Sequence, residues 1–182
     1  MNRIQALELL ESNLKNKNLI KHSFAVEAIM RALALYFNED VEEWSLAGLL
    51  HDIDYEQTTP EQHSLIGAKM LRKEGLSDEI VESVKTHNEM HGIKPESLMA
   101  KALYVCDPIS GLIIAATLVL PSKKIKELKT DNVLKRFKEK SFAKGANREI
   151  IYQCEELLGL KLEQFCDISL NAMQEISNEL GL

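Results

Sequence analysis

The chain has 182 residues, enough for one domain or one domain with an appendage, and for a core that needs no disulfide staples. Apolar residues make up 45% and charged residues 27%, which excludes a disordered chain, and eight Gly with four Pro exclude a collagen-like or linker-dominated one. The formal charge of −6 argues against a nucleic-acid or membrane-surface binder.

Helical periodicity dominates, and strand-like alternation is almost absent. The pattern predicts helices over residues 3–15, over 19–37 with Ala25, Ala28, Ile29, Ala32 and Leu33 on one stripe, and over 41–51 with Trp44, Ala47 and Leu50 inward. Polar residues from Asp52 to Thr58 break the pattern. Thr59, Pro60 and Gln62 then spell a capping box with Pro at the first helical position, so a helix is expected from there to Glu74, where Gly75 ends it. Ser77 caps a further helix through about His91. The helix opened by Pro95 is expected to kink or break near Asp107, ahead of Pro108.

The apolar run Ile109 to Leu120 is too short to span a bilayer, which needs ~20 residues, and is read as part of a buried core helix. Ten Lys/Arg against three Asp/Glu make the stretch from Pro121 to Arg148 basic, while seven Asp/Glu against one Lys make residues 149–182 acidic. Helices are expected there at about 130–140, 147–158 and 163–180, which gives a single all-α domain of about nine helices. Leu158, Leu160, Leu162, Leu170 and Leu180 leave two placements open, core or a homo-oligomer interface. Cys106, Cys154 and Cys166, odd in number and outside any C-x-x-C, read as reduced thiols of a cytoplasmic protein. Residues 1–17 carry charge throughout, with no apolar run of the kind a signal peptide needs.

Five histidines carry the chemistry: His22, His51, His63, His87 and His91. His22 shares a face with Ala25 and Ile29, and His51 ends the apolar helix Leu46-Ala47-Gly48-Leu49-Leu50 and is followed at once by Asp52. His63 lies with Ile66, Gly67 and Met70, His87 continues the stripe Ile80, Val81 and Val84, and Asp107 sits beside Leu103 and Cys106. Four imidazoles and two carboxylates on inward faces are costly unless paired or bound to metal. The set suits a divalent first-row ion such as Mn, Fe, Co, Ni or Zn, with Mg a further candidate, and one carboxylate can bridge two ions.

These residues resemble the HD superfamily of metal-dependent phosphohydrolases. The resemblance rests on His22, on His51-Asp52 within LAGLLHDID and on Asp107 within ALYVCDPISGL; HSLIGAKML around His63 and VKTHNE around His87 match its dinuclear branches. It covers about residues 19–115 and implies that His22, His51, Asp52 and Asp107 hold one metal, with Asp52 bridging to a second held by His63 and His87. The expected division is an HD-type metal-binding core over 1–120 and a C-terminal helical extension over 121–182, packed on that core.

The implied activity is hydrolysis of a phosphoester or phosphoanhydride by metal-activated water, on a nucleotide or another small phosphorylated compound. Neither a membrane nor a nucleic acid is an expected partner, since no aromatic ladder accompanies the basic segment. Two alternatives carry the same ligands: a mixed-valent di-iron oxygenase, and a non-catalytic nucleotide-sensing module. Many dinuclear members have a Lys two or three residues after the HD pair, where this chain has Asp54-Tyr55-Glu56, and the Gly-Tyr-Pro signature of cyclic-dinucleotide enzymes is absent.

Asp54 is therefore a candidate acceptor from a ligand histidine or a general acid/base, as is Glu56, and His91 a candidate general acid. Asn88 and Glu89 are candidate pocket residues. FAKGANRE is expected to fold over the site, with Lys144 and Arg148 gripping a substrate phosphate.

Overall fold

Each of the early helices starts on a polar cap. In the computed structural model, which describes all 182 residues, Asn2 caps α1 (Arg3–Asn13) in a capping box with Gln5, Asn16 caps α2 (Lys17–Phe37), and Asp40 accepts from the Glu42 and Glu43 amides to open α3 (Val41–Leu50). The chain then runs through α4 (Leu65–Lys73), α5 (Asp78–Thr86), α6 (Leu98–Leu118), α7 (Thr130–Lys138), α8 (Arg148–Tyr152), α9 (Cys154–Leu158), α10 (Leu162–Glu175) and α11 (Ser177–Leu180), with short 3-10 turns at Glu89–His91 and Ile125–Glu127. There is no strand; the fold is all-α, as the periodicity requires.

The apolar helix α6 is the hub. It packs on α2 and α5 on one side and on α7, α8 and α9 on the other, and α10 closes against α2, α6 and α7. One contiguous core runs from Ala6 to Leu180. Leu158, Leu160, Leu170 and Leu180 are buried in it, so four of the five C-terminal leucines are core. Although α6 is long and apolar enough to cross a membrane, more than half of it is buried against the rest of the chain. The three cysteines are buried and free. At the α2–α3 crossing the backbones nearly touch: a Cβ on Gly48 would lie 2.8 Å from Glu27 Cα, so only glycine lets α3 approach closely enough to deliver His51 to the centre.

Three expectations fail, each for a local reason. The helix expected from Thr59 begins only at Leu65; residues 60–63 are turns and Ser64 sits at φ +71°. The amides of Ser64 and Gly67 are bound by the Asp54 carboxylate, so α4 is capped from a distant segment and not by Thr59. The helix from Ser77 stops at Thr86, with His87 as its C-cap, because Asn88 turns to extended backbone at φ −81°, ψ 110°. Of the kink or break expected ahead of Pro108, there is no break: α6 continues through it, with Tyr104 and Pro108 both on the cleft-lining face, where the lost N–H does not leave a carbonyl sealed in the core.

Candidate metal centre

Six side chains converge where the end of α3 meets α2, α5 and α6. His22 lies within α2, His51 is the C-cap of α3, His87 is the C-cap of α5, and Asp107 projects from the middle of α6. His63 stands on the turn before α4. Asp52 is at the centre, and its two carboxylate oxygens face opposite ways. Oδ2 lies 3.5 Å from His22 Nε2 and 3.3 Å from His51 Nε2, while Oδ1 lies 3.2 Å from His63 Nε2 and 3.4 Å from His87 Nε2. Asp107 Oδ1 completes the first group, 3.0 Å from His22 Nε2.

The other nitrogen of each ring decides the chemistry. His51 Nδ1 donates to the Gly48 carbonyl at 2.8 Å and His87 Nδ1 to the Val84 carbonyl at 2.6 Å. His63 Nδ1 donates to Asp54 Oδ1 at 2.9 Å. Ser110 Oγ donates to the Asp107 carbonyl, so it accepts from His22 Nδ1 at 3.1 Å. All four neutral rings therefore carry their proton on Nδ1 and present a bare Nε2 lone pair inward. Two such lone pairs face each other at 3.2 Å between His22 and His51, and two more at 3.2 Å between His63 and His87. Neither pair is a hydrogen bond between neutral rings; each needs a cation between its members.

The spacing fits that cation. Metal–ligand bonds of ~2.1 Å put neighbouring donor atoms ~3.0 Å apart in an octahedron and ~3.4 Å apart in a tetrahedron. The contacts among these groups are 3.0–3.5 Å. His22, His51 and Asp107, and again His51, Asp52 and His87, bring ligand atoms together closely enough to share one ion. Imidazole with carboxylate suits divalent first-row ions.

Electrostatics point the same way. Burial pushes the His51 imidazole pKa down, but the Asp52 and Asp107 carboxylates outweigh it and raise it to about 8. Desolvation of His63 is likewise outweighed by Asp52 and Asp54, which raise it to about 9. Burial pushes Asp52 up, yet His51, His63 and His87 hold it well below the ordinary carboxylate range. The centre stabilises positive charge, whether as protons or as metal.

Several sequence-predicted residues stand elsewhere. Asp54, expected either as an acceptor from a ligand histidine or as a general acid/base, has the geometry of the first: it is fully buried behind His63, Oδ2 accepts from the Ser64 and Gly67 amides at 3.0 and 2.7 Å, and Oδ1 holds His63. It is a positioning residue, and Gly67 leaves it room: a Cβ there would come within 3.1 Å of Asp54 Oδ1 and press the carboxylate aside. Glu56 accepts from the Lys15 and Asn16 amides at the start of α2, away from the centre. His91, expected as a general acid, donates Nε2–H to the His63 carbonyl at 2.7 Å and does not line the cleft; it ties the turn after α5 to the His63 segment.

Asn88 does line the cleft, but its amide is engaged with the Pro60 and His63 carbonyls. FAKGANRE does fold over the site, through Gly145, Ala146 and Asn147 and not through its cations. Lys144 is exposed outside the cleft, and Arg148 spends its guanidinium on the carbonyls of Phe142, Ala143 and Ala146, which shapes the loop from within.

The sequence reading missed four contributors. Ser110 orients His22. Tyr55 sets its ring edge-on to His63 at 5.1 Å. Tyr104 lines the cleft one turn before Asp107. Asn147 caps α8 with Oδ1 and donates Nδ2–H to Glu89 at 2.9 Å, clasping one rim to the other. Ser110 and Tyr104 stand three residues either side of Asp107, a helical spacing that could have placed them.

Fold and centre together define an all-helical protein with a histidine–carboxylate cluster suited to divalent metals. The HD domain family matches residues 19–112, just over half of the chain, and the chain belongs to that family. Among curated proteins it is 31% identical over 139 residues to Ribonuclease Y of Lawsonia intracellularis, covering 74% of this chain and 26% of that one. It is 31% identical over 146 residues to tRNA (cytidine(56)-2′-O)-methyltransferase of Thermoplasma volcanium, covering 78% and 43%. A shorter match joins it to Ribonuclease Y of Pelobacter propionicus, 34% over 99 residues. The chain thus spans 26% and 18% of the length of these two ribonucleases and less than half of the methyltransferase. No solved structure matches it.

Proposed function

We propose that the protein is a metal-dependent phosphohydrolase, with His22, His51, Asp52 and Asp107 holding one divalent ion and Asp52, His63 and His87 a second. The observation that carries this reading is the division of Asp52 between two histidine pairs whose bare Nε2 atoms face each other at 3.2 Å. Bound there, divalent ions supply Lewis acidity and a water acidified to near neutrality.

The chain's own residues do the rest. Gly48, Val84, Asp54 and Ser110 fix the four rings in the tautomer that binds. The cleft of about 470 Å³ opens over five of the six groups, with His51 buried beneath them, and admits a phosphoryl compound to them. No serine or cysteine lines it, and water activated by the ions is the proposed attacking group. The relatives, a ribonuclease and a tRNA methyltransferase, widen the proposed substrates from small nucleotides to RNA phosphodiesters.

The test is phosphoester cleavage by the Mn²⁺-loaded protein, with Asp52→Ala as its control. Turnover lost in the variant supports the reading. Full activity in the variant, or oxygen consumption by an iron-loaded protein that cleaves no phosphoester, contradicts it.

A further inference from the structure

The net charge of −6 conceals a segregated surface. Seven lysines stand between Lys123 and Lys140, and every one is exposed. The ion pairs of the chain's Lys and Arg are made by Arg3, Arg31, Arg72, Lys85 and Arg136, so none of the seven has a carboxylate partner. Three acids share the stretch, and Glu139 is spent on Arg136 at 2.7 Å, which leaves Glu127 and Asp131. The acidic helix α10 packs on α7 without neutralising it. Each of its ties uses a neutral group of the basic segment: Thr130 Oγ1 donates to Asp167 Oδ1 at 2.7 Å, and the Ile125 and Leu128 carbonyls accept from Gln174 Nε2 at 2.8 and 3.0 Å.

Burial sets the direction of this charge. Val133 is buried and Leu134 and Phe137 pack against the core, which turns Lys135 and Lys138, one helical turn apart, to solvent. Lys140 follows just beyond the helix end. The two arginines of the segment are engaged within the fold: Arg136 lies over the Phe142 ring at 4.9 Å, and Arg148 holds the carbonyls of Ala143 and Ala146. These contacts join α7 to the loop that lines the cleft through Gly145, Ala146 and Asn147. The lysine face thus leads to the rim of a cleft whose own walls carry no Lys or Arg.

We propose that this lysine face binds the phosphate backbone of a nucleic acid without reading its sequence. Lysine supplies a compact point charge that suits successive phosphates along a chain, whereas the planar forks that would clasp a single carboxylate are already occupied. No large apolar side chain is exposed between residues 121 and 148 to anchor the face in lipid. The exposed pair Leu118 and Val119 stands ahead of it, at the end of α6, and makes an anionic membrane the competing occupant. Binding to such a face is driven by release of counterions and weakens with salt. Because the face lies outside the metal centre, the proposal and the hydrolase reading fail separately.

The test is fluorescence anisotropy of labelled oligouridylate and oligothymidylate with the full chain, freed of metal by EDTA so that the centre takes no part, over a range of KCl concentrations. Each lysine engaged by a single strand adds about −0.7 to the slope of log K against log salt, so three or more give about −2 or steeper. Lys135→Gln, Lys138→Gln and Lys140→Gln combined should flatten that slope by about 2 and weaken binding at low salt at least ~10-fold. Lys17→Gln, Lys69→Gln and Lys73→Gln combined make the same change in net charge on exposed lysines elsewhere, and should weaken it less than about 2-fold. Equal affinity for both strands, or tighter binding of RNA through its 2′-hydroxyls, supports the proposal. No binding of either strand at low salt, an equal loss in the two triple variants, or binding to phosphatidylserine vesicles alone overturns it.

Discussion

His22 and Asp107 stand in the middle of long core helices, with His51 and His87 as the C-caps of two more; His63 stands apart, on the turn before α4. The first group inherits its geometry from the packing of α2, α3, α5 and α6. His63 depends on local hydrogen bonds: Asp54 holds it and the start of α4 together, and His91 ties the His63 carbonyl to the turn beyond His87. Most of the centre thus rides on packed helices, whereas His63 is held by a single buried carboxylate.

Substitutions should separate the two halves of the centre, one about each Asp52 oxygen. The largest effect is expected for Asp52→Ala, which removes an oxygen from each half: metal is lost from both, and metal-dependent turnover falls below detection. Asp54→Asn comes next. It keeps the volume but removes one of the two acceptors, so affinity for one of two ions should fall ~10–100-fold while the other is retained, read as a biphasic metal titration. Thermal melts of the apo-variant measure separately the loss at the start of α4, where a buried amide left unpaired costs ~1–3 kcal/mol. Ser110→Ala acts on the other half and only through His22, and should weaken that ion by ~10-fold, the low end of the range for such supports. Lys144→Ala should leave KM unchanged, since this lysine lies outside the cleft.

The pH dependence sharpens the same comparison. His51 and His63, raised to about 8 and about 9, bind protons more tightly in the folded metal-free protein than in the unfolded chain. Their contribution to stability is complete below the unfolded value of ~6.5 and is lost as pH rises through 8 to 9. With metal bound the sign reverses, because protons compete for the same nitrogens, so metal-dependent stabilisation grows over that range. Melting curves from pH 6 to 9 with and without Mn²⁺ should therefore diverge as pH rises.

The helix-borne half was legible in the sequence because His22, His51 and Asp107 continue apolar stripes of 3.6 periodicity, which places them inward whatever the details. His87 was legible in the same way, from the stripe of Ile80, Val81 and Val84, whereas His63 was placed by its motif but not in its setting. The Thr59–Gln62 capping box signals a helix start that Asp54 overrides from another segment, and no local pattern announces that a carboxylate ten residues away will supply the cap. Pro108 misled for the opposite reason: its missing N–H matters in a sealed helix and little on a cleft face. Arg148 looked like a phosphate ligand because charge is visible in a sequence, whereas the carbonyls that occupy it are made only by the fold.

The central claim is that Asp52 divides one carboxylate between two metal sites. Metal content per chain, measured by mass spectrometry on untagged protein purified without chelator and reloaded with Mn²⁺, tests it most directly. The account predicts close to two ions in the wild type, close to one in Asp54→Asn at limiting metal, and none in Asp52→Ala. Content near zero in the reloaded wild type, or undiminished in Asp52→Ala, would contradict it and reduce the six residues to a buried hydrogen-bonded core.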